Sequence, residues 1–390
     1  MKKIYVFLLL FCSLFYSCNN AEYAVIDNAI YFTDAETSAN KVVYLDPQGS
    51  SVNLTVRAVN KLAANTLVEC YVDPSALDKY NKRNGVNFVI LPEELYDLPE
   101  KFTISEGEFI SGIEKIDIKG FTKEMVNSGN KFALPLTIKP VDGIGLLPSS
   151  SSLILTIDPI VETSVISLRA KSTPEVGQSG PYIHVPLSQP LQLNTWTIEF
   201  RFRKNRMDHT EGQYFLTLSG DGGQEIRFAI GAGHRFWMRN NGAETASNQM
   251  MEADKWYHAA IVADGSQISI YLNGVLDKTM PDPAGIQNIQ NRFYIGFPNM
   301  NSGETFWFSE LRIWSTVRSE SDIQFNMFGV NPKTEGLVGY WKFNEGSGVE
   351  FQNFADEAAP KAYLSAEFGE NPPVFTGQPE WIDGVRSDDK

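Results

Sequence analysis

The stretch Trp196-Thr197-Ile198-Glu199-Phe200-Arg201-Phe202-Arg203 decides the fold class of the second half of the chain. Ile198, Phe200 and Phe202 alternate with Thr197, Glu199, Arg201 and Arg203, which is the period of a strand with one buried face. Downstream, Trp256-Tyr257-His258-Ala259-Ala260-Ile261-Val262 leads into Asp264-Gly265, and a further strand ends at Asn273-Gly274. Both dipeptides are hairpin signals. Many short strands with Gly-rich turns mean an all-β class. One helix is expected here, starting at Ser319 with Asp322 three residues on and Ile323 facing inward, close to a capping box. Trp196, Trp256, Trp314 and Trp341 are assigned to the core, as large aromatics are usually buried.

Working toward the N-terminus, Val52, Leu54, Val56 and Ala58 alternate with Ser51, Asn53, Thr55 and Arg57, predicting one strand over 51–59. The pattern recurs at Phe132, Leu134, Leu136 and Ile138, and at Leu153, Leu155 and Ile157; Pro135 argues that its strand lies at a sheet edge. A helix interrupts the strands: Asp73 is its N-cap, Pro74 its first residue, Leu77 and Tyr80 its apolar stripe and Gly85 its stop. Residues 23–160 are read as a β-sandwich of immunoglobulin-like type. A short linker around Asp158–Glu162 leads to a second domain over 161–390.

The first 18 residues are an address rather than a fold element. Lys2 and Lys3 precede an apolar run from Ile4 to Tyr16, too short to span a membrane, which takes about 20 residues. Ser17-Cys18 resembles the bacterial lipobox, so residues 1–18 are expected to be a lipoprotein signal, Cys18 the lipidated residue and 19–22 a tether; an ordinary secretory peptide is the alternative. The expected place is the outer membrane, on the cell-surface side. A formal net charge of −14 repels phosphate backbones and excludes nucleic acid as a partner. Of three cysteines, only Cys70 lies beyond residue 18, so no intramolecular disulfide framework is expected.

Hydrolysis of a glycosidic bond needs carboxylates placed on one face to flank it. No strand shows that set. Glu106 and Glu108 straddle Gly107 in an expected turn, and Glu310 is read as a structural ion pair beside Arg312. His184, His209, His234 and His258 are scattered without metal-ligand spacing, and His258 is read as sheet structure. Asp221, beside Gly220, Gly222 and Gly223, is a candidate ligand for one calcium ion, with a plain turn as the alternative. Sugar binding asks instead for exposed flat rings beside paired donors and acceptors. Trp237 with Arg239 and Asn240 has that chemistry, and so does Trp307 with Glu304, following Asn299 and Asn301.

Several motifs in order, from Pro181–Pro186 and Trp196–Phe202 through the 256–274 run to Glu310-Leu311-Arg312-Ile313-Trp314, Arg318 and Gly336–Phe343, resemble the laminin-G-like, concanavalin A-like family. The resemblance implies a two-sheet jelly roll that binds sugars or proteins and sometimes one calcium ion. Leu77–Asn81, Leu91-Pro92, Ile104–Gly107 and Phe132–Ile138 are similar to an N-terminal domain of Bacteroidota polysaccharide-utilisation lipoproteins. Together these imply a non-catalytic envelope lipoprotein that captures a polysaccharide through its second domain, with the first as spacer. An adhesion or assembly lipoprotein gripping an envelope protein is the alternative, and a carbohydrate-active hydrolase the third.

Overall fold

The computed structural model describes residues 28–141, 143–169, 181–207, 213–220, 225–231, 233–282, 287–296, 304–367 and 372–389. Two antiparallel sheets make the second half. One runs, in spatial order, Ala243–Met250, Arg235–Asn240, Glu225–Gly231, Gln213–Gly220, Gln287–Ile295, Tyr182–Pro186, Ala362–Ser365 and Glu350–Phe351, with Leu191–Leu193 also paired to Gln287–Ile295. The other runs Val275–Pro281, Gln267–Leu272, Tyr257–Ala263, Trp196–Lys204, Thr305–Trp314, Glu162–Arg169 and Glu380–Arg386, with Leu337–Trp341 also on Thr305–Trp314. Their facing sides share one core, centred on the rings of Phe200, Phe202, Phe215, Phe236, Phe306 and Phe308. Ile198, Phe200 and Phe202 supply it from their strand, as the alternation requires.

The turns follow from their residues. Asn273-Gly274 has φ of 49° and 79°, the left-handed pair that a two-residue hairpin needs. Asn241-Gly242, with φ of 46° and 90°, does the same between two strands of the other sheet. At Asp264 the carboxylate accepts the N–H groups of Ser266 and Gln267. Ser319 caps the helix Glu320–Phe325 in a capping box with Asp322, and Ile323 is its buried residue. Trp196, Trp256, Trp314 and Trp341 are all buried.

The first half is a second all-β unit with its own core, built on Phe32, Val68, Phe102, Leu134, Leu136 and Leu155. A six-stranded sheet is accompanied by two three-stranded ones. Two expectations change here. Residues 51–59 form two strands, Ser50–Leu54 and Val56–Ala58, because the chain leaves one sheet and joins another at Thr55; Val52, Leu54, Val56 and Ala58 stay buried throughout. Pro135 is central, not at an edge. Its strand, Lys131–Pro140, pairs along one side with Phe88–Ile90 through residues 131–133 and with Thr66–Val72 through residues 136–140. Pro135 sits in the gap between those partners, where its carbonyl accepts from Asp73 N–H and no ladder donor is required. The helix Pro74–Asn84 begins and ends as its sequence dictates, with Asp73 accepting from Ser75 and Ala76 and Gly85 at φ 65°. A short helix, Lys123–Ser128, capped by Thr122, was not legible.

The first domain packs on the second rather than standing off as a spacer. Phe88 meets Phe325 edge-on with ring centroids 5.7 Å apart, and Arg386 reaches Asp46 at 3.4 Å. Gly129, which ends Lys123–Ser128 at φ 66°, lies so close to Val330 and Asn331 that an added Cβ would overlap their backbone. Gly129→Val should therefore lower the melting temperature and make the domains unfold separately. A single unshifted calorimetric transition would refute the tight contact.

The outward side of the eight-stranded sheet is also buried along its central strands, which alternation alone did not reveal. Glu199 and Arg312 are fully buried and paired at 3.2 Å, Arg312 also holds Glu310 at 2.6 Å, and Tyr340 donates to Glu310 at 2.6 Å. Glu310 sits at φ 57° where the register slips, a bulge that aims its carboxylate at these partners. Arg312 further donates to the carbonyl of Asn326 at 2.6 Å and so ties down the end of Glu320–Phe325. His258 stands 3.3 Å from Glu199.

Burial works to raise the Glu199 carboxyl, but the His258 hydrogen bond and the charge of Arg312 outweigh it and leave Glu199 below the usual range. Burial pushes His258 down, and although Glu199 opposes this, Arg312 and Arg201 reinforce it. Both groups bind protons more readily when unfolded, so their contribution is present at neutral pH and is lost as pH falls through each native value. Urea midpoints should fall between pH 7 and pH 4, and His258→Gln should flatten the part of that slope near the ordinary histidine range, about pH 6.5. A midpoint independent of pH would contradict this charge assignment.

Candidate functional site

The two tryptophans proposed for sugar stacking lie on opposite outer faces of the sandwich. Phe306 and Phe308 point into the core from one sheet, so Trp307 points out of it; Phe236 and Met238 do the same for Trp237 in the other sheet. Trp307 is held in an outer cluster with Val165, Trp256, Val385 and Ile382, and the Arg203 guanidinium sits 4.8 Å from its ring centroid. Glu304 is not a surface acceptor. It is fully buried and lies 3.3 Å from the Nζ of Lys204, itself 1% exposed. Asn240 is likewise buried on the inward side, its amide 3.3 Å from Asp282. Asp221, Asn299 and Asn301 fall outside the described residues, as does Cys18. Among the described residues no cluster of His, Cys, Asp and Glu could hold a metal ion, and no helix is long and apolar enough to cross a membrane.

Trp237 and Arg239 remain, and the register shows what stands beside them. Across the outer face of the nine-stranded sheet, Glu244, Arg239, Arg227, Thr217, Tyr294, His184 and Tyr363 lie directly opposite one another on seven consecutive strands. Directly opposed residues share a face, so these seven side chains form one row. A second row runs beside it: Ala246, Trp237, Ala229 and Tyr214. The register slip between Tyr214 and Leu216 lets Phe215 and Leu216 both enter the core while Tyr214 stays on the outer face.

The small neighbours Ala246 and Ala229 leave Trp237 standing above the sheet against Tyr214, ring centroids 5.4 Å apart at 63°. Six of the seven tryptophans, Trp307 included, bury an indole nitrogen without a hydrogen-bond partner. Around Trp237, Arg227 lies 4.8 Å over the Tyr214 ring and contacts Glu225, and Arg239 reaches Glu225 at 3.5 Å and Glu244 at 3.9 Å. The far end of the row is closed. His184 and Tyr294 are buried, and Tyr363 donates to the carbonyl of Pro372, which fixes the C-terminal segment beside them.

Tyr214, Glu225, Arg227 and Glu244 were not singled out from the sequence. Glu225-Ile226-Arg227-Phe228-Ala229-Ile230 alternates cleanly and could have been read as one more strand, but only register brings it beside Trp237. A cleft of about 590 Å³ lies elsewhere, between the domains, lined among others by Phe121, Phe354, Asp46, Glu162, Glu345 and Asp383. Three of its acids are already engaged, Asp46 by Arg386, Asp383 by Ser164 and Glu345 by the Gln352 N–H. It offers no tryptophan.

Residues 177–324 match the family model of the concanavalin A-like lectin/glucanases superfamily, of laminin-G type, and residues 26–145 match the model of an N-terminal domain family. The chain thus carries a laminin-G-like, concanavalin A-like domain behind a separate N-terminal domain. A solved candidate carbohydrate-binding protein from Bacteroides ovatus is similar along nearly the whole length, at 19% identity and TM-score 0.53, covering 90% of this chain and 99% of that one. That likeness establishes a shared fold. A pentraxin from Limulus polyphemus is similar at 16% identity and TM-score 0.36, over 52% of this chain and 95% of that one. No protein of curated function matches the sequence.

Proposed function

We propose that this protein is a non-catalytic, lipid-anchored glycan-binding protein of a Bacteroidota cell envelope. The outer face around Trp237 captures a polysaccharide, and Cys18 carries the lipid that holds the protein at the outer membrane, on its cell-surface side. One observation carries the reading: on the outer face Trp237 stands between alanines, beside Tyr214 and two arginines. That combination gives a pyranose a stacking face and donors for its hydroxyls. The carboxylates on this face, Glu225 and Glu244, are both ion-paired to arginine, an arrangement that suits recognition better than acid–base attack on a bond. The fold shared with the Bacteroides ovatus protein supports the same reading.

A glycan array probed with purified protein tests it. Saturable binding to one polysaccharide class without release of reducing ends is expected. No glycan bound, with capture of one envelope protein instead, would replace it with an adhesion role. Reducing ends released from a bound glycan would make the protein an enzyme. Mass spectrometry of the mature N-terminus should show acylated Cys18, and surface proteolysis of intact cells should remove the folded domains.

A further inference from the structure

Arg227 and Arg239 are directly opposed on neighbouring strands of the same exposed face. Like charges in that position repel and destabilise a strand pair, so a sheet keeps them only with compensation. The compensation here is incomplete. Both guanidinium groups share one carboxylate, Glu225, and the second acid, Glu244, stands at 3.9 Å from Arg239 and is half exposed. A third guanidinium, Arg235, lies on the same face in line with Trp237 and Arg239 and hydrogen-bonds the carbonyls of Ser247 and Asn248; among the described residues it makes no ion pair. Among the described residues three cations thus face two anions, in a chain whose formal net charge is −14. Side chains of Arg227 and Arg239 are 32% and 36% exposed, although the Nε of each is buried without a hydrogen-bond partner.

We infer that the ligand of this face is an anionic glycan, one bearing carboxylate or sulfate groups. The inference rests on the sugar-binding reading of the Trp237 face and adds the charge of the sugar to it. The Trp237 and Tyr214 rings receive the apolar side of one residue while its oxyanion, or that of the next residue along, takes bidentate hydrogen bonds from Arg227 and Arg239. A ligand oxyanion supplies the negative charge that the opposed arginines lack. The acidic remainder of the protein repels polyanions at long range, so recognition depends on contact at this face and not on steering.

The test compares each polysaccharide with its own neutralised form: polygalacturonate against its methyl ester, and chondroitin sulfate against desulfated chondroitin, with mannan and xylan as neutral controls. At least tenfold tighter binding of an anionic form is expected, and which pair shows it tells carboxylate from sulfate. Arg227→Gln and Arg239→Gln should each weaken binding of the anionic form about tenfold and that of the neutral form by less, so that the preference for the anionic form narrows, while Trp237→Ala removes both. Because the ligand itself is neutralised, the comparison holds even if an arginine variant folds poorly. Equal binding of charged and neutral forms, or binding of mannan or xylan alone, overturns the inference and leaves the sugar-binding reading standing. Binding of an oligonucleotide that matches the glycan and survives Trp237→Ala marks a generic polyanion patch and overturns it too. No binding to any glycan fails both.

Discussion

Trp237→Ala should abolish glycan capture while the fold persists. A central aromatic anchor is worth about 2 kcal/mol or more, which is at least thirtyfold in Kd and drops an ordinary micromolar lectin affinity out of range. The structural loss is small by comparison, since the ring lies on the outer face against Tyr214 and leaves the core side chains of Phe236 and Met238 in place. Trp307→Ala should do the reverse. Its ring packs with Val165, Trp256 and Val385 under Arg203, so truncation costs about 2–4 kcal/mol of stability and leaves binding unchanged. Isothermal titration of both variants, with melting curves alongside, separates the two roles. Equal loss of binding in both, or full binding by Trp237→Ala, would remove the site from this face.

Arg312→Met should be among the most damaging single substitutions outside the phenylalanine core. Removing one partner of a buried ionic cluster typically costs about 3–5 kcal/mol, because the remaining charge keeps its desolvation cost and loses its compensation. Here Glu199 would lose its closest cation and keep His258 at 3.3 Å and Arg318 at 3.8 Å, Glu310 would keep the Tyr340 hydroxyl, and the Asn326 carbonyl would lose its donor. Since Arg312 ties down the end of Glu320–Phe325, and Phe325 touches Phe88, the loss should also loosen the domain contact. Combining it with Glu199→Gln should cost less than the sum of the two single changes, as each relieves the charge the other exposes. Denaturant midpoints of the three variants measure this directly. Additive losses would show that Glu199 and Arg312 do not depend on each other.

Local sequence carried much of this architecture because its signals act over a few residues. Strand alternation at Ile198, Phe200 and Phe202, the left-handed turn at Asn273-Gly274, and the Asp73 and Ser319 caps are decided by bonds and sterics within one or two turns of chain. Where the chain's partners lie far away, the same reasoning misled. Pro135 reads as an edge residue from its missing N–H, yet it is central, because two different strands end on either side of it. Glu304 reads as a surface acid beside a tryptophan, yet Lys204, a hundred residues earlier in the chain, buries with it.

The amino-acid order by itself determined that this chain is all-β, where its strands turn, which aromatic residues enter the core, and that Trp237 and Arg239 share one side of a strand. Only the tertiary structure decided that Trp237 and Trp307 face opposite ways, that Glu199 and Arg312 neutralise each other out of water, and that Tyr214 and Arg227 complete the platform. The reason is that alternation states which face a side chain takes relative to its own strand. Which strand lies alongside, in what register, and whether a face meets solvent or another domain are set by hydrogen-bonded pairing and burial between segments far apart in sequence.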